Sequence, residues 1–151
     1  MAETDLIKLY SGTILELASD IPHSRRLVDP DATTKKRSPL CGSTVTVDIS
    51  FEDGKISAFG QDVKACALGQ ASASIFAAEI IGRSEEEILN VRDQLRNMLK
   101  SDGEVPDTPF SGYKVLLPAR DFKNRHDSIL LVVEATLDAI QVVRSIETSQ
   151  I

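Results

Sequence analysis

The sequence predicts an α+β fold: a small antiparallel β-sheet of about three strands packed against several helices, with one helix at the N-terminus and a long one at the C-terminus. Three observations carry this expectation. Apolar residues recur at helical spacing near both ends of the chain. Between Val45 and Phe59 the period changes to two. Strand and helix patterns are segregated along the chain rather than alternating, which favours helices laid on an antiparallel sheet over a parallel α/β arrangement.

The elements follow in order. Leu6, Leu9, Tyr10, Thr13, Ile14 and Leu17 share one helical face, so residues 5–19 read as an amphipathic helix. Residues 22–39 hold three prolines and no periodicity, and read as a flexible connection of the kind that often carries function. Val45, Val47, Ile49 and Phe51 then point one way and Thr46, Asp48 and Ser50 the other, the pattern of a half-buried strand. Glu52-Asp53-Gly54-Lys55 is a tight hairpin turn, residues 55–59 are the returning strand, and residues 61–65 offer a third. Residues 67–81, ALGQASASIFAAEII, favour a helix whose small side chains allow another backbone to come close, with Gly82 as its stop. Ser84-Glu85-Glu86-Glu87 is a capping box opening a helix with Ile88, Val91, Leu95, Met98 and Leu99 on its apolar stripe. Residues 103–112, with two prolines, read as a loop, and Leu116-Leu117-Pro118 as a short extended or turn piece. The last helix spans residues 124–146, with Leu130, Val133, Leu137, Ile140 and Val143 in register. There is no internal repeat, and all 151 residues are expected to form one domain.

Composition narrows the function. The chain is 42% hydrophobic and 26% charged, with a net charge of −6. That balance excludes the electrostatic footprint of a nucleic-acid binder. The densest basic cluster, Lys35-Lys36-Arg37 with His23, Arg25 and Arg26 upstream, reads as a solvated segment. No apolar run reaches the ~20 residues that span a bilayer, and residues 1–5 lack the features of a signal peptide, so the expected setting is the cytoplasm, away from membranes. Two cysteines do not make a disulfide framework. In a reducing compartment they are ligands, reactive thiols or core filler.

Three residues share one local logic. Cys41 lies in a Pro/Gly turn just before the first strand, Cys66 at the sheet-to-helix junction, and His126 in the first turn of the last helix. Each is a soft or borderline metal ligand at the end of an element. A helix N-terminus favours the thiolate, the form that binds metal or attacks sulfur. Lys64 and Lys123 stand just ahead of Cys66 and His126. The alternative is that Cys66 fills the core under a small-residue helix and that His126 caps a helix or lies on the surface. Cysteines 25 residues apart match no compact zinc pattern. No phosphate-binding loop, dinucleotide fingerprint or nucleophile elbow is present, and nothing marks a catalytic acid–base pair.

Taken together, the motifs resemble the U-type iron–sulfur cluster assembly scaffolds: IscU, SufU and the N-terminal domain of NifU. Pro39-Leu40-Cys41-Gly42-Ser43 is similar to the family's N-P-x-C-G-D, and is followed by strand, Asp-Gly turn and strand. Cys66-Ala67-Leu68-Gly69-Gln70-Ala71-Ser72-Ala73-Ser74 is similar to C-A-I-S-x-A-S-A-S. Lys123-Asn124-Arg125-His126 stands where the family has a basic residue three places before its third cysteine.

The resemblance implies a SufE/NifU-like fold and a site formed by Cys41, Cys66 and His126, with Lys123 as the accompanying basic residue. It also implies iron bound as a transient [2Fe–2S] cluster or, alternatively, zinc. The implied partners are a cysteine desulfurase and apo iron–sulfur proteins, and the implied state is a monomer or weak dimer. Three departures stand out: His126 replaces a cysteine, Ser43 replaces the motif aspartate, and the proline pair of the chaperone-binding motif is absent ahead of Lys123. Two thiolates and an imidazole still form a sensible set for zinc with an open position, and iron–sulfur clusters accept histidine.

Overall fold

The structure, a computed structural model, describes residues 11–39 and 42–149, with the side chains of 147–149 excepted. The elements are α1 (Gly12–Ser19), β1 (Ala32–Arg37), β2 (Thr44–Glu52), β3 (Lys55–Lys64), α2 (Ala67–Ala78), α3 (Glu85–Lys100), a 3-10 stretch (Phe110–Asp121), a short 3-10 turn (Lys123–Arg125) and α4 (His126–Ser149). The three strands form an antiparallel meander in the order β1-β2-β3. Helix α4 lies across β1 and β2, α2 packs between α1 and α4, and α3 packs against α4 and the 3-10 stretch. Of the first helix expected over residues 5–19, Gly12–Ser19 is helical and is capped by Ser11, whose hydroxyl accepts the Ile14 amide; residues 5–10 fall outside the described residues. Among the described residues no helix is long and apolar enough to cross a membrane.

The β2–β3 hairpin forms as the sequence predicts. Asp53 and Gly54 both take positive φ, 54° and 76°, as a two-residue turn matched to strand twist requires. Val45, Val47 and Ile49 are buried on one face. A register shift between Ser50 and Phe51 leaves Phe51 only half-buried.

The third strand is not where the pattern placed it. Strand β3 runs unbroken through Lys64, so residues 61–64 continue it, and the additional strand is Ala32–Arg37, inside the stretch expected to be a flexible connection. Its apolar content is a single alanine. The side chains it turns toward α4 are polar: Thr34 Oγ1 donates to the Ala135 carbonyl at 2.7 Å, and Lys36 Nζ meets Asp138 at 3.0 Å. The exposed Lys35 and Arg37 on the other face suit an edge strand, where charge discourages pairing with other chains.

Asp48 is a second correction. Alternation turns it toward solvent, yet its exposure is 0%. The connection ahead of β1 folds back over this face. Arg26 grips the carboxylate through Nε at 2.6 Å and a terminal guanidinium nitrogen at 3.0 Å, the Leu27 amide donates at 3.0 Å, and the Thr33 hydroxyl donates as well. Gly60, paired with Asp48 across β2–β3, makes room for the crossing: a Cβ there would stand 2.4 Å from the Arg25 carbonyl oxygen.

The segment before α4 also differs from its sequence reading. Instead of a loop and an isolated turn, Phe110–Asp121 winds as a 3-10 helix, burying Phe110, Tyr113, Leu116 and Ala119. That spacing of three matches the three residues per turn of this helix. The Tyr113 hydroxyl donates to the Ser72 carbonyl at 3.1 Å and also meets Ser72 Oγ, pinning the stretch to α2. Helix α3 begins at the expected capping box, with Ser84 and Glu87 exchanging side-chain-to-backbone bonds of 3.2 Å. Its apolar stripe is buried as expected.

Burial alone would push the Asp48 carboxyl up; the bonds from Arg26, Thr33 and Leu27 outweigh it and hold the group below its ordinary value. The carboxylate therefore stabilises the fold above about pH 4, and that contribution is lost as pH falls through the depressed folded value. Asp48→Asn is expected to cost about 2 kcal/mol at neutral pH and to flatten the decline in stability below about pH 4. Urea denaturation across that range checks this; parallel acid limbs in variant and wild type would refute it.

Candidate functional site

Cys66 is the N-cap of α2. With φ −66° and ψ 170° it is extended, and its carbonyl already accepts the Gln70 amide at 2.9 Å. Gln70 returns a side-chain bond to the Ala65 carbonyl at 2.8 Å, holding the junction. The thiol is free and partly exposed. Thr44 pairs with Lys64 in the β2–β3 ladder, so the start of β2 lies beside the chain entering Cys66. The turn joining β1 to β2 is closed at its base by the Ser38 amide donating to the Ser43 carbonyl at 2.8 Å, and Gly42 takes φ +70° within it. Cys41 belongs to this turn but falls outside the described residues.

The side chain that meets Cys66 is Ser128. Its Oγ lies 3.6 Å from Cys66 Sγ and 3.1 Å from Ser43 Oγ, and both serines are buried. Gly69 makes this possible, because a Cβ at that position would stand 2.6 Å from Ser128 Oγ. Sequence reasoning passed over Ser128. The signal was present in the small residues of α2, which foretold a close backbone approach; its partner was not visible from one segment alone.

His126 is the first residue of α4 and is 1% exposed. Its Nε2 lies 2.9 Å from the Ala119 carbonyl oxygen and 3.1 Å from that of Arg120. Carbonyls only accept, so Nε2 carries a proton, and in the neutral ring Nδ1 holds the lone pair. Ser128 is two residues further on, about 200° around the helix axis. His126 therefore faces the 3-10 stretch while Ser128 faces Cys66. Lys123, exposed in the short 3-10 turn, lines with His126, Lys100, Asp102, Arg120 and Asp121 a cavity of about 430 Å³. Arg120 braces it by donating to the Met98 and Gly103 carbonyls at 2.7 and 2.9 Å.

The structure thus brings Cys66 together with Ser128 and Ser43, and Lys123 together with His126, as two groups on opposite sides of the first turn of α4. Among the described residues no set of three or more His, Cys, Asp or Glu side chains is arranged to hold a metal ion; Cys41 stands outside that set.

The site is thus a partly exposed thiol at the sheet-to-helix junction of an α+β domain, beside the turn that joins β1 to β2. No family model matches the chain. It is similar over 93% of its length, and 98% of the other chain, to the crystal structure of a nitrogen-fixing NifU-like protein (N-terminal) from Brucella abortus, at 40% identity and a TM-score of 0.90. Two proteins named iron–sulfur cluster assembly scaffold protein IscU are also similar. That of Streptococcus pyogenes is 24% identical over 93% of this chain and 88% of its own length. That of Thermotoga maritima is 28% identical over 62% of this chain and 66% of its own length. The chain belongs to the U-type iron–sulfur cluster assembly scaffold family.

Gly69→Ala tests the close approach. Alanine gains about 1 kcal/mol of helix propensity, but its methyl would collide with Ser128 Oγ and lie 2.8 Å from Ala65 Cβ. A net loss of about 1–3 kcal/mol is expected by urea denaturation. Gly12→Ala, with nothing within 4 Å of the added carbon, is expected to be neutral or slightly stabilising. Equal effects at the two positions would refute the contact.

Proposed function

We propose that this chain is a scaffold that receives iron and desulfurase-derived sulfur, holds them as a transient [2Fe–2S] cluster, and passes the cluster to apo-proteins. The observation that carries the reading is the placement of Cys66: fixed at a helix start, accessible, and next to the turn of Cys41, in a chain 40% identical to a NifU-like protein. In this proposal Cys41 and Cys66 supply thiolates, and Cys66 lies at a sheet end that a donor or an acceptor protein reaches without unfolding the domain.

His126 is proposed as the third ligand and Lys123 as the basic residue beside it. The imidazole offers Nδ1, since Nε2 is committed to two carbonyls. Because it faces away from Ser128, it joins the thiolates only when the first turn of α4 moves. Surrendering this one N–H, shared between two carbonyls, costs about 1 kcal/mol. Such a ligand binds weakly and leaves easily, which suits cargo meant to be handed on.

Purified without oxygen and supplied with iron and sulfide, the protein is expected to develop visible absorption. Cys66→Ala is expected to abolish it, and His126→Ala to lower iron retention while leaving colour. Near-stoichiometric zinc in the purified protein, lost in Cys66→Ala, with stimulation of a cysteine desulfurase, would replace this reading with a zinc-bearing sulfur acceptor. Neither metal nor colour would leave an adaptor that keeps only the fold.

A further inference from the structure

We infer that Ser128, backed by Ser43, is the positioning residue for the Cys66 sulfur. The inference rests on the scaffold reading above for its purpose, but its geometry is independent of any metal. The three side chains form a line across three elements: Ser43 at the entry to β2, Ser128 on α4, and Cys66 at the start of α2. The distances along it are 3.1 Å between hydroxyls and 3.6 Å from hydroxyl to sulfur.

Proton counting sets the direction of the line. A hydroxyl has one hydrogen to donate and lone pairs to accept, whereas a metal-bound or free thiolate only accepts. With Cys66 as a thiolate or a metal ligand, Ser128 gives its hydrogen to Cys66 Sγ, and its oxygen is left to accept from Ser43. Burial supports the same reading. Ser128 is 2% and Ser43 4% exposed, and a buried hydroxyl is costly unless it is bonded. Alanine would fill either place without that demand.

The N-cap position leaves Cys66 without a side-chain bond to its own helix, so no hydrogen bond within α2 fixes its rotamer. Ser128 supplies the missing constraint, and Gly69 keeps open the space it occupies. Hydrogen bonds to ligand sulfur orient the ligand and tune the cluster it holds. Where the family motif has an aspartate, Ser43 thus acts through Ser128 instead of reaching the cargo itself.

The test begins on metal-free protein. Three-bond Hα–Hβ couplings of Cys66, measured by NMR, report its χ1 populations. Wild type is expected to show the unequal couplings of one dominant rotamer. Ser128→Ala is expected to average them, and Ser43→Ala to do so in part. Ser72→Ala is the structural control: this buried serine on α2 bonds Tyr113 and the Ile129 carbonyl, not Cys66, and should leave the couplings unchanged. After anaerobic loading with iron and sulfide, Ser128→Ala is expected to lose iron to a chelator about tenfold faster than wild type and to shift the visible circular dichroism bands. Unchanged couplings in Ser128→Ala overturn the inference; should that variant fail to fold, unchanged couplings in Ser43→Ala do so. Absence of colour in wild type would instead defeat the scaffold reading, while the couplings still decide the role of Ser128.

Discussion

Helix α4 approaches the start of α2 because Gly69 has no side chain where Ser128 arrives. Much of the molecule depends on that contact. Below it, Ser72 Oγ donates to the Ile129 carbonyl and also meets the Tyr113 hydroxyl, so the same approach anchors the 3-10 stretch. Above it, the hydroxyl of Ser128 reaches both Cys66 and Ser43, tying the helix layer to the end of the sheet. The small residues of α2 therefore serve two purposes. Ala71, Ala73 and Ala77 are buried in the core, and Gly69 and Ser72 let a second backbone come close enough to support a thiol at the helix start. Larger side chains there would bury more apolar area but would hold α4 away and leave Cys66 unsupported.

The opposite face of the sheet is secured by charge rather than by a helix. Asp48 accepts bonds from Arg26, Leu27 and Thr33, and Gly60 gives the crossing chain its passage. A buried carboxylate is stabilising only when its oxygens are fully engaged, and here both oxygens of Asp48 are occupied. The connection ahead of β1 is thereby held across the sheet, which steadies β1 and, through it, the turn that leads to Ser43. The fixed geometry at the thiol end thus has support on both faces of the sheet.

The sequence was legible wherever one segment carried its own signal. The Asp53-Gly54 turn, the Ser84 capping box, the stripe of α3 and the register of α4 each depend on local chemistry, and the structure has them. It was opaque where the partner lies far along the chain. Strand β1 has almost no apolar residue, because Thr34 and Lys36 are satisfied by α4, about a hundred residues away. Asp48 looks solvent-facing until the preceding connection covers it. The 3-10 stretch was missed for another reason. Its buried residues recur every three positions, a period that neither the helix nor the strand template detects. The cysteines and His126 stood out by type and placement, whereas Ser128 has no distinguishing type, and only packing reveals it.

The departures from the family pattern form one physical argument. A third cysteine at the start of the last helix would be a small, soft ligand needing no hydrogen-bond partner. Histidine is larger and polar, and buried at this position its Nε2 needs a partner. It finds two carbonyls at the end of the 3-10 stretch, those of Ala119 and Arg120. This places the imidazole and Ser128 on opposite sides of one helical turn, so the imidazole leaves those carbonyls when it turns toward the thiols. The short 3-10 turn at Lys123–Arg125, joined directly to α4, is the natural place for that rearrangement, since such turns at helix ends exchange readily with helical geometry. In the proposed scaffold a hydroxyl orients the sulfur of Cys66 while an imidazole shares its metal. The carbonyls that draw the imidazole back keep the arrangement from becoming a permanent cage, which is the physical requirement for cargo that has to leave.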